Sequence, residues 1–282
     1  MGGFTTVTVK SDGNIARVTL DRPERRNAID GVMGTELREA FEGLAQEQAL
    51  RAVLLAAKGE VFCAGADIKW MQSTAPISET QARDDAQRLT SMFRAIDDCP
   101  CPVIGLVQGP AFGGGVGLMA LCDMVVAAED ATFSLSEARL GLVPAIIAPF
   151  LLRKAGESFL RRYCLSGETF TASTASKFGL VHDVVQPDDL EDRAAELIDA
   201  ILRLAPQAVR ESKALIQKML HLSDEDRRAV CAETNARARC APEAREGLQA
   251  FLEKRLPSWA KQQAAQQTQE TQRSQDVAAG RT

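Results

Sequence analysis

The chain is predicted to be an α/β protein whose C-terminal third is helical. Two continuous apolar runs, Ala52 to Ala56 and Val103 to Val107, read as strands of a parallel sheet covered on both faces. Each is followed by a turn rich in small residues and then by a helical stretch. From Asp188 onward, helical patterns succeed one another with no strand between them. Alternating strands and helices first, with helices gathered last, describe a sheet-and-helix core followed by a helical appendage.

Taken in order, Val7 and Val9, then Ile15, Val18 and Leu20, flank the turn Ser11-Asp12-Gly13-Asn14 and read as a β-hairpin that Asp21-Arg22-Pro23 closes. Asp30 is the expected N-cap of a helix with Met33, Leu37, Ala40, Phe41 and Leu44 on one face. After the strand at Ala52, Lys58-Gly59-Glu60 turns into Val61-Phe62-Cys63-Ala64-Gly65-Ala66-Asp67. Small side chains there let another group approach the backbone. Ser78 and Gln81 have capping-box spacing at the head of a helix reaching Asp97, with Ala82, Ala86, Leu89, Phe93 and Ile96 on its buried face.

The strand at Val103 runs through a Gly109-Pro110 turn into Gly113, Gly114, Gly115 and Gly117, with a helix over Val116 to Leu121. Short strands are predicted at Met124 to Ala127 and Thr132 to Leu135, around a turn at Glu129-Asp130. Ser136 to Pro144 reads as a loop carrying one carboxylate, Glu137. Helix resumes near Ala148. Thr171 caps a short helix that stops at Gly179, and Val181 to Val185 is the last strand. Helices then cover Asp188 to Leu204, Pro206 to Leu220, Ser223 to Cys240 and Pro242 to Arg255. Residues 261 to 282 hold almost nothing that could enter a core and are predicted to be disordered. The late helices have little partner surface left within the chain, which points to a homo-oligomer.

With 282 residues, 45% of them apolar, the chain suits one large domain or two small ones. A net charge of −5 argues against a general nucleic-acid surface. No apolar run reaches the roughly 20 residues that span a bilayer, and no basic stretch followed by an apolar core opens the chain. Seven scattered cysteines, with Pro100 between the closest two and no histidine beside them, read as reduced thiols of a cytoplasmic protein rather than a zinc site. His182 and His221 are far apart and lack metal partners, so structural or surface roles are expected.

The glycines at 113 to 117 leave amide N–H groups at a helix start free to face negative charge. No Lys-Ser or Lys-Thr follows, and the G-x-G-x-x-G spacing is absent, so neither a Walker loop nor a dinucleotide turn is present. A glycine turn that serves only close packing is the alternative. Ser134 and Ser136 sit in no nucleophile-elbow sequence, which sets aside a serine hydrolase.

Phe62-Cys63-Ala64-Gly65-Ala66-Asp67-Ile68-Lys69 together with Ala111-Phe112-Gly113-Gly114-Gly115 resembles the enoyl-CoA hydratase/isomerase, or crotonase, superfamily. Arg26-Asn27-Ala28, Cys122-Asp123, Glu137 with Leu140-Gly141-Leu142 and Pro144, and Arg245-Glu246-Gly247-Leu248 follow in the same order, so the resemblance covers residues 4 to 259. It implies a crotonase-like spiral of ββα units over residues 1–190, a C-terminal helical oligomerisation region over 191–260, and trimers or hexamers. It also implies an acyl-CoA thioester substrate and no metal or redox cofactor. The backbone N–H groups of Ala66 and Gly114 would form an oxyanion hole for an enolate. Ala28, Ala64, Ala66, Asp67, Ile68 and Lys69 would line the coenzyme A arm, and Arg25 or Arg26 would meet a phosphate. Asp67 is expected to face backbone amides and brace its loop, because a carboxylate aimed into the hole would oppose enolate charge.

Family hydratases use two glutamates. Glu137 stands at the second position, but Gly117 stands at the first. Three readings follow: hydration by Glu137 alone, a double-bond shift by one carboxylate, or another enolate chemistry carried by the hole. A catalytically weak acyl-CoA-binding paralogue is the alternative from another class. The segment Leu135 to Phe150, and Gly117-Leu118, resemble the methylglutaconyl-CoA and carboxygeranoyl-CoA hydratase branch. That branch implies a branched substrate with a second carboxylate. Arg139 would pair with that carboxylate if residues 137 to 139 were extended.

Overall fold

The computed structural model describes residues 3–73, 78–220 and 222–261. The disorder predicted for the tail beyond Lys261, and His221, lie outside the described residues. Contacts divide the chain into two compact units, Met1–Ala195 and Glu196–Thr282. No helix among the described residues is long and apolar enough to cross a membrane.

In the first unit the strands are β1 (Val7–Asp12), β2 (Ile15–Leu20), β3 (Ala52–Ala57), β4 (Val103–Val107), β5 (Ala111–Phe112), β6 (Met124–Ala128), β7 (Thr132–Ser134), β8 (Thr169–Thr171) and β9 (Asp183–Val185). Between them lie α1 (Gly31–Ala45), α2 (Ile68–Ser73), α3 (Glu79–Asp97), α4 (Gly114–Leu121), α5 (Ala148–Ser166) and α6 (Ala172–Lys177). A large sheet runs β1-β2-β3-β4-β6-β9, antiparallel only within the first hairpin, and a small sheet runs β5-β7-β8. Every residue of β4 is buried, as befits a central parallel strand. Helix α7 (Leu190–Leu202) carries the chain into the second unit, which holds α8 (Pro206–Met219), α9 (Asp224–Cys240) and α10 (Pro242–Leu252).

Single parallel bridges, Ile29 to Ala66 and Cys63 to Ala111, continue the small sheet back toward the N-terminus. The chain therefore repeats one motif: a strand in the large sheet, a short stretch in the small layer, then a helix. β2, Ile29 and α1 make the first turn; β3, Cys63 to Ala66 and α2–α3 the second; β4, β5 and α4 the third; β6, β7 and α5 the fourth. This is the expected ββα spiral.

Side chains fix each turn. Asp30 caps α1 by accepting the Met33 N–H at 2.9 Å, and Ser78 and Gln81 form the expected capping box on α3. Leu37, Phe41, Leu55, Phe62, Met92, Ile96 and Phe133 fill the core. Phe159 of α5 packs edge-on to Phe170 of β8, with 5.2 Å between ring centroids. Buried Glu36 on α1 accepts the N–H and hydroxyl of both Thr5 and Thr6 at 2.6–2.9 Å, tying the N-terminal segment down. His182 is structural: its Nδ1 accepts the Val125 N–H at 2.9 Å.

Some elements differ from expectation. Glu137–Leu140 is a 3-10 helix rather than open loop, closed by Gly141 at φ 73°. The strands β5 and β8 and the helix α2 carry no sequence period because each spans so few residues. The last strand covers only Asp183–Val185, since the His182 and Val181 backbone leads in from a turn.

Candidate active site

The small layer frays where the second and third turns meet, and the site forms there. Cys63 and Ala111 pair, with the Phe112 N–H donating to the Cys63 carbonyl at 2.9 Å. Beyond that pair the two segments part. On its other edge, Ala66 is held against Ile29: Ile29 N–H donates to the Gly65 carbonyl at 2.7 Å, and Asp67 N–H donates to the Ile29 carbonyl at 2.9 Å. In a pleated strand the amide between those two groups points the opposite way. The Ala66 N–H is thereby aimed at the start of α4.

Gly114 is the first residue of α4, so its N–H has no acceptor within the helix. Among the described residues neither the Ala66 nor the Gly114 N–H meets an acceptor. The backbones are close: a Cβ at Gly65 would lie 2.7 Å from the Phe112 carbonyl oxygen and 3.4 Å from the Gly114 nitrogen. Gly65, at φ 85°, must stay glycine on both counts. Two unspent amides beside a helix N-terminus suit an oxygen that gains negative charge.

Glu137 enters the same space from the end of β7. The Gly113 N–H donates to the Ser134 carbonyl at 2.9 Å, which brings the 3-10 turn against the glycine turn. A Cβ at Gly113 would sit 2.9 Å from Glu137 Oε1. Oε2 is buried with no hydrogen-bond partner. Burial pushes the Glu137 carboxyl above its ordinary value. Burial, and then the Glu137 charge, push the Cys164 thiol up to about 11. Cys63, fully buried beside the hole, is pushed up to about 12 by burial and is no nucleophile.

Ala66, Gly114 and Glu137 line one cavity of about 300 Å³, otherwise mostly apolar. Its walls come from Ile29, from Trp70 and Met71 on α2, from Leu89 and Phe93 on α3, and from Leu142 to Ile147. Gly117 faces this wall from below. A Cβ there would lie 2.4 Å from Ile147 Cγ2 and 2.8 Å from Phe93 Cε1, so apolar side chains hold the space a first glutamate would need. One further carboxylate reaches the lining, Asp85 on α3, paired with Arg88 at 3.3 Å. Asp85 is three residues after Ala82 and four before Leu89, on the stripe that sequence periodicity marks as buried; its place on that stripe was the available signal.

The other sequence candidates fall into four groups. Asp67 does brace its loop: Oδ1 accepts the Lys69 and Trp70 N–H groups at 3.0 and 3.2 Å, capping α2, and Oδ2 meets Arg22 at 3.3 Å. Ala28 and Ala64 sit in the pairing next to Ala66, with the Ala64 N–H donating to the Arg26 carbonyl at 2.9 Å. Ile68, Lys69, Arg25 and Arg26 are exposed and do not line the cavity. Arg139 is a correction. Residues 137–140 wind as a 3-10 helix, so the side chains at 137 and 139 diverge. Its guanidinium donates to the Gly167 carbonyl at 2.7 Å and stays out of the cavity.

This geometry agrees with what the chain is similar to. The profile of the enoyl-CoA hydratase/isomerase family matches residues 10–263. The crystal structure of an enoyl-CoA hydratase from Shewanella pealeana superposes with a TM-score of 0.86 at 38% identity, covering 91% of this chain and 96% of that one. An enoyl-CoA hydratase from Mycobacterium smegmatis superposes with a TM-score of 0.87 at 35% identity, covering 90% and 99%. The mevalonyl-coenzyme A hydratase sidH of Aspergillus fumigatus is 33% identical over 255 residues, 87% of this chain and 91% of that protein. With the ββα spiral, the paired free amides and Glu137 in place, the chain belongs to the enoyl-CoA hydratase/isomerase family.

Proposed function

We propose that the protein hydrates the 2,3-double bond of an enoyl-CoA thioester, or removes water to form it, with Glu137 as its one acid–base group. The observation that carries this is the buried Glu137 carboxylate, its Oε2 without a hydrogen-bond partner, in the same cavity as the free Ala66 and Gly114 amides. The ionised carboxylate takes a proton from water, whose oxygen bonds to C3. Electrons move onto the thioester oxygen, which the two amides stabilise as the enolate forms. The new carboxylic acid then returns the proton to C2. One group acting on one face gives syn addition. Coenzyme A enters as part of the substrate, and no other cofactor takes part in these steps.

The acyl group proposed is branched and methylglutaconyl-like. One observation supports the branch: sidH is named for mevalonyl-coenzyme A, whose acyl group is methylated at C3. Arg139 does not supply the partner for a second carboxylate. A homo-oligomer is also proposed, because Leu248, Phe251, Leu252 and Leu256 stand 56–81% exposed around α10.

A second reading has its own observation. With Gly117 walled in by Ile147 and Phe93, one carboxylate could instead shift a double bond from the 3- to the 2-position. Absorbance of the conjugated enoyl thioester separates the two. Loss of signal with crotonyl-CoA or 3-methylglutaconyl-CoA, abolished by Glu137→Gln, supports hydration. No loss with either, but a gain from a 3-enoyl-CoA, would replace it with isomerisation.

A further inference from the structure

Arg22 lies at the end of β2, away from the reacting groups, yet its guanidinium ties together both loops that set the Ala66 amide. Nη1 donates to the Ala28 carbonyl at 2.7 Å and meets Asp30 Oδ2 at 2.9 Å; Nη2 meets Asp67 Oδ2 at 3.3 Å. The three side chains are only 13–16% exposed. Each aspartate is divided in two. Asp30 caps α1 and Asp67 caps α2 through one oxygen, and each gives the other oxygen to Arg22.

Between these two anchors lies the bridge of Ile29 to Gly65 and Asp67, the backbone bonding that flanks Ala66 and turns its N–H toward Gly114. We infer that Arg22 is a positioning residue for the oxyanion hole. It holds Ile29 and Ala66 in register by joining the helix caps that flank them. The inference rests on the hole read above. A planar guanidinium meets both carboxylates and a carbonyl at once, which a lysine cannot do. Without it, two largely buried carboxylates would be left without their shared cation and push the bridge open.

The test reads the hole without turnover. A chromophoric thioester, 4-dimethylaminocinnamoyl-CoA, absorbs to the red when donors polarise its carbonyl. The intact protein is expected to bind it with a red shift. Arg22→Met is expected to bind it within about threefold but lose most of the shift, with kcat falling about 10- to 100-fold, less than or equal to loss of a donor. Arg22→Lys should recover part of both, and Asp67→Asn, which keeps its cap on α2, should lose part of both. If Arg22→Met fails to fold, the lysine and asparagine variants decide. A folded variant that binds the probe with the full shift and keeps kcat within about twofold overturns the assignment, because a residue that only stabilised the fold would leave both unchanged in the molecules that remain folded. Intact protein that binds the probe without any shift overturns the hole and this role together. A full shift without hydration overturns only the hydration reading, and the Arg22 role stands on the variants.

Discussion

Placing a side chain at Gly117 asks whether the missing first glutamate is a matter of chemistry or of space. An alanine replacing a helical glycine in open surroundings gains about 1 kcal/mol. Here the new methyl would lie 2.4 Å from Ile147 Cγ2 and 2.8 Å from Phe93 Cε1. Both neighbours are buried, and Ile147 is branched at the contact, so neither is a flexible end that can swing aside. Overpacking of this kind costs about 1–3 kcal/mol, so Gly117→Ala should come out neutral to destabilising by up to about 2 kcal/mol. Gly117→Glu adds a carboxylate without a partner and should cost at least about 2 kcal/mol more. Urea unfolding of Gly117→Ala, Ile147→Ala and the double variant measures this. The double should be more stable than the sum of the singles by about 1 kcal/mol, because the truncated Ile147 removes the closest contact. Hydration by Gly117→Glu should not exceed that of the intact protein. A Gly117→Ala more stable by the full helical gain, or a Gly117→Glu that folds normally and hydrates faster, would refute the reasoning.

Further outcomes follow from the same geometry. Glu137→Gln should lower kcat by about 10²–10⁴ and leave stability equal or higher near neutral pH, since a buried charge whose Oε2 has no partner is removed. Because burial raises the Glu137 carboxyl, the acid limb of kcat/KM should lie above the ordinary carboxyl range; a limb at or below that range would contradict it. The same shift makes folding less favourable as pH rises through the raised value, a slope that Glu137→Gln should remove from pH-dependent denaturation. Gly114→Pro keeps a residue suited to the first helical position but deletes a donor, and should cost about 10²–10³ in kcat, whereas Gly114→Ala meets only ordinary contacts of 3.5–3.9 Å and should stay active. At Glu36, burial works against ionisation, but the Thr5 and Thr6 donors outweigh it and hold the carboxyl below its ordinary value. That stability is present above the ordinary value and lost as pH falls through the lowered one, so Glu36→Ala should cost about 1–3 kcal/mol and flatten acid unfolding.

The sequence made the large sheet legible because its strands are long enough to show a period, and it made the helix starts legible because Asp30, Ser78 and Thr171 cap them. The small layer was not legible. β5 and the bridge residues Ile29, Cys63 and Ala66 pair one or two residues at a time, and pairing that short leaves no alternation to read. Yet it is this layer that aims the two amides. Ala66, Gly114 and Glu137 were found through the resemblance, and the glycines alone had left simple close packing open. Arg139 went astray because an extended segment was assumed where Gly141 allows a 3-10 turn to close. Asp85 lies on the periodic stripe of α3, whereas the role of Arg22 is visible only once the first loop is placed.

The two halves of the site differ in how they depend on sequence. The amides of Ala66 and Gly114 are fixed by backbone pairing and by a helix start, so what the sequence must supply is the absence of bulk at Gly65, Gly113 and Gly115, where a Cβ would strike a carbonyl oxygen, a carboxylate or Cys63. The acid–base group depends on single side chains, and those can be exchanged without disturbing the amides. Gly117 fits such an exchange: Ile147 and Phe93 fill the space a side chain there would need, and the Ala66 and Gly114 amides are held independently of it. On the proposed reading, enolate stabilisation is the part of the chemistry that the spiral itself carries. Whether a proton moves between carbon and water or between two carbons is left to Glu137 and to what the cavity admits next to it.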